Sequence, residues 1–207
     1  MADAGGWAGH GQRCSVAVIA ALGALVLSLA LPYSALDAAE PTGAAASTAD
    51  VAEPDSYRIE AYRAPVPATL KGARVVDTAA AEALHGSGAL FIDVFPQAPK
   101  PAGLPKTTVW RTPRHETIKG AVWLPNVGYG VLNADFEAYF RSQLEVLTGN
   151  DKTKPIVLFC LRDCWMSWNA AKRALEWGYR DVVWFPDGTD GWKEFGGQVV
   201  DVTPTGW

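Results

Sequence analysis

The sequence is poor in the residues that cross-link small folds and bind metals. It has only three Cys and three His in 207 residues. So few cysteines exclude a disulfide-dense scaffold. No Lys/Arg cluster occurs, net charge is −4 and the pI is near 5.4, which argues against nucleic acid as a partner. No segment repeats at a fixed period, which excludes solenoids and propellers. What is present is apolar and aromatic. The apolar fraction is 49%, enough for a core, and nine Trp are available for that core or for recognition. The length suits one domain plus tails.

Charge is also missing near the N-terminus. Arg13 precedes an uncharged run, Cys14 to Leu31, and Pro32 then breaks it before small residues (Ala35, Ala38, Ala39). This layout is that of a secretory signal peptide over 1–38, with an uncleaved anchor as the alternative. Cleavage leaves 17 basic and 20 acidic residues, a net charge of −3, and two cysteines, Cys160 and Cys164. The expectation is a periplasmic protein, free of the membrane after cleavage, in a compartment where nearby thiols pair. Only His85 and His115 then remain, and neither has ligand spacing, so no metal is expected.

Residues 39–56 are Ala-, Thr- and Pro-rich and read as a flexible linker. Residues 57–72, with Pro65 and Pro67, read as an extended segment lying on the domain. The domain itself is placed at 73–200, with a tail at 201–207. ARVVD (73–77), ALFIDV (89–94), AVWLP (121–125), PIVLFC (155–160) and DVVWFP (181–186) read as strands. Helices are expected over 78–88, capped at Thr78, over 134–147, over 167–179, and in a short closing segment after Asp187. Between them, 95–117 reads as a long Pro-rich loop. Strands alternating with helices predict an α/β fold: a mainly parallel central sheet with helices on both faces.

In an open α/β sheet, sites form beyond the carboxyl ends of the strands. Cys160 stands at such an end, followed by LRDCWM and then a helix. Loop amides, the helix dipole and Arg162 all favour a thiolate there, which lowers the pKa expected for Cys160.

These residues resemble the rhodanese-like superfamily over roughly 73–200. The carriers are Ile118-Lys119-Gly120-Ala121 leading to Leu124-Pro125, Asp93 at its strand end, and Gly188…Gly191-Trp192. Phe95 stands where the family has Arg, and Thr189 replaces a Gly. CLRDCWMSWNAAKRAL, VWLPNVGYG and DGTDGW resemble a narrower group, the periplasmic rhodanese-like CXXCW-motif proteins associated with pyrroloquinoline-quinone (PQQ)-dependent alcohol catabolism. Here three residues separate the cysteines, and the loop is one residue longer than in rhodaneses. Trp165 and Met166 sit where a closing Arg is usual. The resemblance does not imply bound PQQ, and no cofactor is expected.

Two functions are open at this point. In one, Cys160 carries a persulfide, assisted by Arg162 and resolved by Cys164, or the two cysteines perform thiol–disulfide exchange. Substrate contacts are then expected from Leu161, Asp163, Trp165, Met166, Ser167, Trp168 and Asp93, with Arg111 and Arg114 either steering an anion at the mouth or standing as ordinary solvated charges. The substrate is a small sulfur-containing or anionic molecule. In the other, a Cys160–Cys164 disulfide is structural and the domain docks a periplasmic partner of a PQQ-dependent dehydrogenase system. His115 is expected to have a capping or surface role. Trp177, Trp184 and Trp192 are expected in the core.

Overall fold

The computed structural model describes residues 51–98, 101, 103–109, 111 and 113–206. The signal peptide and most of the linker therefore lie outside the described residues. In chain order the elements are β1 (Arg74–Val75), α1 (Thr78–Gly86), β2 (Leu90–Asp93), β3 (His115–Ile118), β4 (Val122–Trp123), α2 (Ala134–Thr148), β5 (Ile156–Phe159), α3 (Trp165–Glu176), β6 (Val182–Phe185), α4 (Gly188–Glu194) and β7 (Val199–Val202).

Five strands form one sheet in the order β1-β6-β5-β2-β4, and every pairing in it is parallel. The alternation within each strand builds two cores. Ile156 and Leu158 of β5, with Val182 and Trp184 of β6, face α2 and α3. Val157 and Phe159, with Val183 and Phe185, face α1 and α4 through Ala81 and Trp192. A strand buried on both faces needs an apolar residue at every position, and β5 and β6 have one. Each fully buried large side chain contributes roughly 1.5–3 kcal/mol. Helix α2 buries Phe140 and Leu144, one turn apart, with Asn133 capping the amide of Phe136 and Gly149 closing the helix at φ 67°.

Four local expectations are corrected. The cap of α1 is Asp77, whose carboxylate accepts from the amide of Ala80, and Thr78 instead hydrogen-bonds Asp187. Helix α3 begins at Trp165, two residues early, because Cys164 already has extended cap geometry. The Pro-rich loop ends before His115, which opens β3. The tail residues Asp201 and Val202 belong to β7, which pairs antiparallel with β3 in a second, two-stranded sheet. Neither β3 nor β7 has an uninterrupted apolar run, so neither reads as a strand by itself. Trp184 and Trp192 are core, whereas Trp177 is half-buried. Among the described residues, no helix is long and apolar enough to cross a membrane.

Candidate functional site

Strand β5 lies mid-sheet, and its carboxyl end delivers Cys160 to a five-residue turn before α3. Two contacts fix the turn from α4. The amide and hydroxyl of Thr189 both donate to the Cys160 carbonyl, at 2.9 and 3.3 Å. Asp190 accepts from the amide of Arg162 at 3.0 Å. Gly188 permits this approach. Its φ is +54°, and a Cβ there would collide with the Cys160 carbonyl.

The loop returns Cys164 to Cys160, with Cα atoms 6.2 Å apart and the sulfurs at disulfide distance. Cys160 is fully buried, and Cys164 is 3% exposed. Cys164 also caps α3 without a side-chain acceptor. An extended segment supplies what the cap lacks. Arg63 forms an antiparallel bridge with Cys164. In it, the amide of Ala64 donates to the Asp163 carbonyl, and the amide of Trp165 donates to the Tyr62 carbonyl at 2.9 Å. The first α3 amide thus already has a protein acceptor.

The residues expected at the site divide. Leu161, Cys164 and Met166 line one cavity of about 400 Å³, together with Tyr62, Phe95 and Tyr129. Arg162 is expected over the thiolate but is found in a two-pronged ion pair with Glu194, at 2.6 and 2.7 Å. That hydrogen bond raises the pKa of Arg162 above its ordinary value and lowers that of Glu194. Asp163 is exposed, with φ +54°. Trp165 and Trp168 are buried under the extended segment, donating to the carbonyls of Pro65 and Thr69. Ser167 is buried, donating to the Cys164 carbonyl and accepting from Trp184. Arg111 is exposed. Arg114 pairs with Asp201 at 3.0 Å and lines a neighbouring cavity of about 370 Å³.

Asp93 is the most constrained of these residues. It is fully buried, and both of its oxygens are engaged. Oδ1 accepts from the amide of Phe95 at 2.8 Å, and Oδ2 accepts from the Thr117 hydroxyl at 2.6 Å and from His115 Nε2 at 2.7 Å. A carboxylate only accepts, so Nε2 carries the proton. His115 is 9% exposed, which corrects the surface role expected of it. Its ring stacks on Phe95 at 4.8 Å and packs on Trp123 at 4.3 Å. Trp123 Nε1 donates to the Phe95 carbonyl. Phe95, which walls the cysteine cavity, is thereby held by its amide, its carbonyl and its ring.

Tyr62, Tyr129 and the Asp93–His115–Thr117 cluster were not apparent from the sequence. The alternation of His115 and Thr117 within HETI was the available signal, since residues two apart share a strand face. Among the described residues, no group of three His, Cys, Asp or Glu could hold a metal ion.

The rhodanese-like domain family model matches residues 50–195. No curated protein matches the chain. Solved structures with similarity include a thiosulfate sulfurtransferase from Pseudomonas aeruginosa, at 15% identity and TM-score 0.42, covering 64% of this chain and 21% of that one. A rhodanese-like domain from Anabaena sp. has 18% identity and TM-score 0.42, covering 64% and 85%. A polysulfide-sulfur transferase from Wolinella succinogenes has 20% identity and TM-score 0.40, covering 66% and 84%. With most of its length matched by the family model, the chain belongs to the rhodanese-like domain family.

Proposed function

We propose that this chain is a periplasmic sulfur-handling protein that works by thiol–disulfide exchange at Cys160 and Cys164, accessory to PQQ-dependent alcohol catabolism. The observation that carries the reading is the pair itself: two sulfurs at disulfide distance in the loop after the central strand. The periplasmic setting is supported by the apolar run before Pro32, and the catabolic setting by the CLRDCWMSWNAAKRAL resemblance. In the exchange, a thiolate attacks one sulfur of the pair and forms a mixed disulfide, and the other cysteine leaves as thiolate. A second thiol completes the two-electron reduction and departs as the oxidised disulfide.

Sulfur transfer is the second reading, favoured by the position of Cys160 at the strand end. In the reduced protein, the Cys160 thiolate takes the outer sulfur of a sulfane donor, whose remainder leaves as an anion. Cys164 thiolate then attacks the Cys160 sulfur, expelling hydrosulfide and restoring the disulfide. A thiol reductant restarts the cycle.

Equilibration of the protein with glutathione buffers, followed by alkylation and mass measurement, tests the proposal. The expected result is reversible reduction at a potential above about −250 mV. A pair still oxidised below about −300 mV overturns it. The disulfide is then structural, and a docking role for the domain follows.

A further inference from the structure

The cavity beside Cys164 has the size and lining of a small-molecule site, and its walls are held in place. Its volume is about 400 Å³, within the range of ligand pockets. Tyr62 accepts at its hydroxyl from the amide of Gly130 and meets the Tyr129 ring edge-on at 5.4 Å. The carbonyl of Tyr129 accepts from Arg173. Phe95 is fixed by Asp93, Trp123 and His115. Leu161 and Met166 complete an apolar lining, and Cys164 is the residue of the pair that lines it.

Arg63 stands on the same wall, exposed, and no carboxylate pairs with it among the described residues. The cavity therefore offers aromatic walls, one cysteine of the pair and a cation that has no carboxylate partner among the described residues. Meanwhile, the main-chain groups flanking Cys164 are consumed. The Asp163 carbonyl and the Trp165 amide are bound to Ala64 and Tyr62, so an incoming protein strand cannot pair there.

We propose that the cavity formed by Tyr62, Phe95, Tyr129, Leu161 and Met166 binds a small aromatic thiol bearing a carboxylate, and directs it to Cys164. The inference rests on the redox reading above. The carboxylate meets Arg63, and the ring packs between Phe95 and the tyrosines. The bound thiolate attacks Cys164 Sγ, the Sγ–Sγ bond breaks, and Cys160 leaves as thiolate. A second molecule of the thiol attacks the ligand sulfur of the mixed disulfide. It departs as the symmetrical disulfide, leaving two reduced cysteines. Two electrons pass from two thiols to one disulfide, and no other oxidant is needed.

Three thiols separate the terms: para-(mercaptomethyl)benzoate, benzyl mercaptan without the carboxylate, and mercaptopropionate without the ring. Each is mixed with the oxidised full chain, quenched with acid and alkylated, and the adduct is located by peptide mass. The expected result is an adduct on Cys164. The benzoate should react about tenfold or more faster than mercaptopropionate at equal thiolate concentration, the scale of burying one ring. Its rate should saturate, and the non-thiol para-toluate should compete. Arg63→Gln, on an exposed side chain, should slow the benzoate about threefold and leave benzyl mercaptan unchanged. Leu161→Trp, which fills the cavity, should abolish saturation. Equal rates for the three thiols, or an adduct on Cys160, overturn this inference alone. No reaction with any thiol overturns the redox reading and this inference with it.

Discussion

Removing the Asp93 carboxylate is the sharpest test of how the site is built. Asp93→Ala leaves three donors without their acceptor: the part-buried Phe95 amide, the buried Thr117 hydroxyl and the buried His115 ring N–H. Each stranded donor costs about 1–3 kcal/mol. The Thr117 hydroxyl can rotate and His115 can shift its proton, which keeps the sum near the lower end. The expected loss is therefore about 4 kcal/mol. In a domain of this size that lowers the Tm by roughly 8–16 °C. Asp93→Asn preserves the shape. Its amide oxygen serves the Phe95 N–H, and its NH₂ donates to the Thr117 oxygen and to a neutral His115, so the cost should stay at about 1–2 kcal/mol. Urea unfolding of both variants, followed by Trp fluorescence, measures the pair of values. An Ala variant costing under about 1 kcal/mol, or equal costs for Ala and Asn, would refute the reasoning.

Other outcomes follow from single contacts. Gly188→Ala should cost about 3 kcal/mol or more in urea unfolding, because its positive φ and the adjacent Cys160 carbonyl both resist a Cβ. Gly86→Ala, with open space around it at the end of α1, should instead stabilise by about 0.5 kcal/mol. Arg162→Ala should change stability by under about 1 kcal/mol, since its partner Glu194 is largely exposed. The rate of disulfide reduction should stay within about twofold of the parent; a loss of tenfold or more would return Arg162 to the cysteine chemistry. Burial raises the pKa of Tyr57, reinforced by its hydrogen bond to Glu176, and burial raises those of Tyr129, Tyr139 and Tyr179. Above the ordinary tyrosine value of 10.0 the unfolded chain loses protons that the folded chain keeps. Stability is thus full below that pH and falls as pH rises through it. Tyrosinate absorbance and unfolding, titrated together, should show ionisation coinciding with loss of structure.

Elements with one repeating local signal were legible from the sequence. Strand β5 has an unbroken apolar run, and α2 has Phe140 and Leu144 one turn apart. Elements whose burial comes from distant partners were not. His115 reads as a polar residue in a loop until Asp93, 22 residues away, supplies its acceptor. Trp165 reads as a pocket wall until Pro65, 100 residues away, accepts its indole proton. Arg162 reads as an anion ligand beside a cysteine until α4 folds back and presents Glu194.

By itself, then, the sequence determined the parallel sheet, its helices and the placement of two cysteines in one strand-end loop. Periodicity and spacing are properties of neighbouring residues, and they survive without knowledge of the fold. Only the tertiary structure decided which groups surround the sulfurs. It turned Arg162 outward to Glu194, buried Asp93 with His115, and brought Tyr62 and Tyr129 to the wall beside Cys164. Those choices depend on which distant donor or acceptor comes within hydrogen-bond reach once the two cores have closed, and no local pattern carries that information.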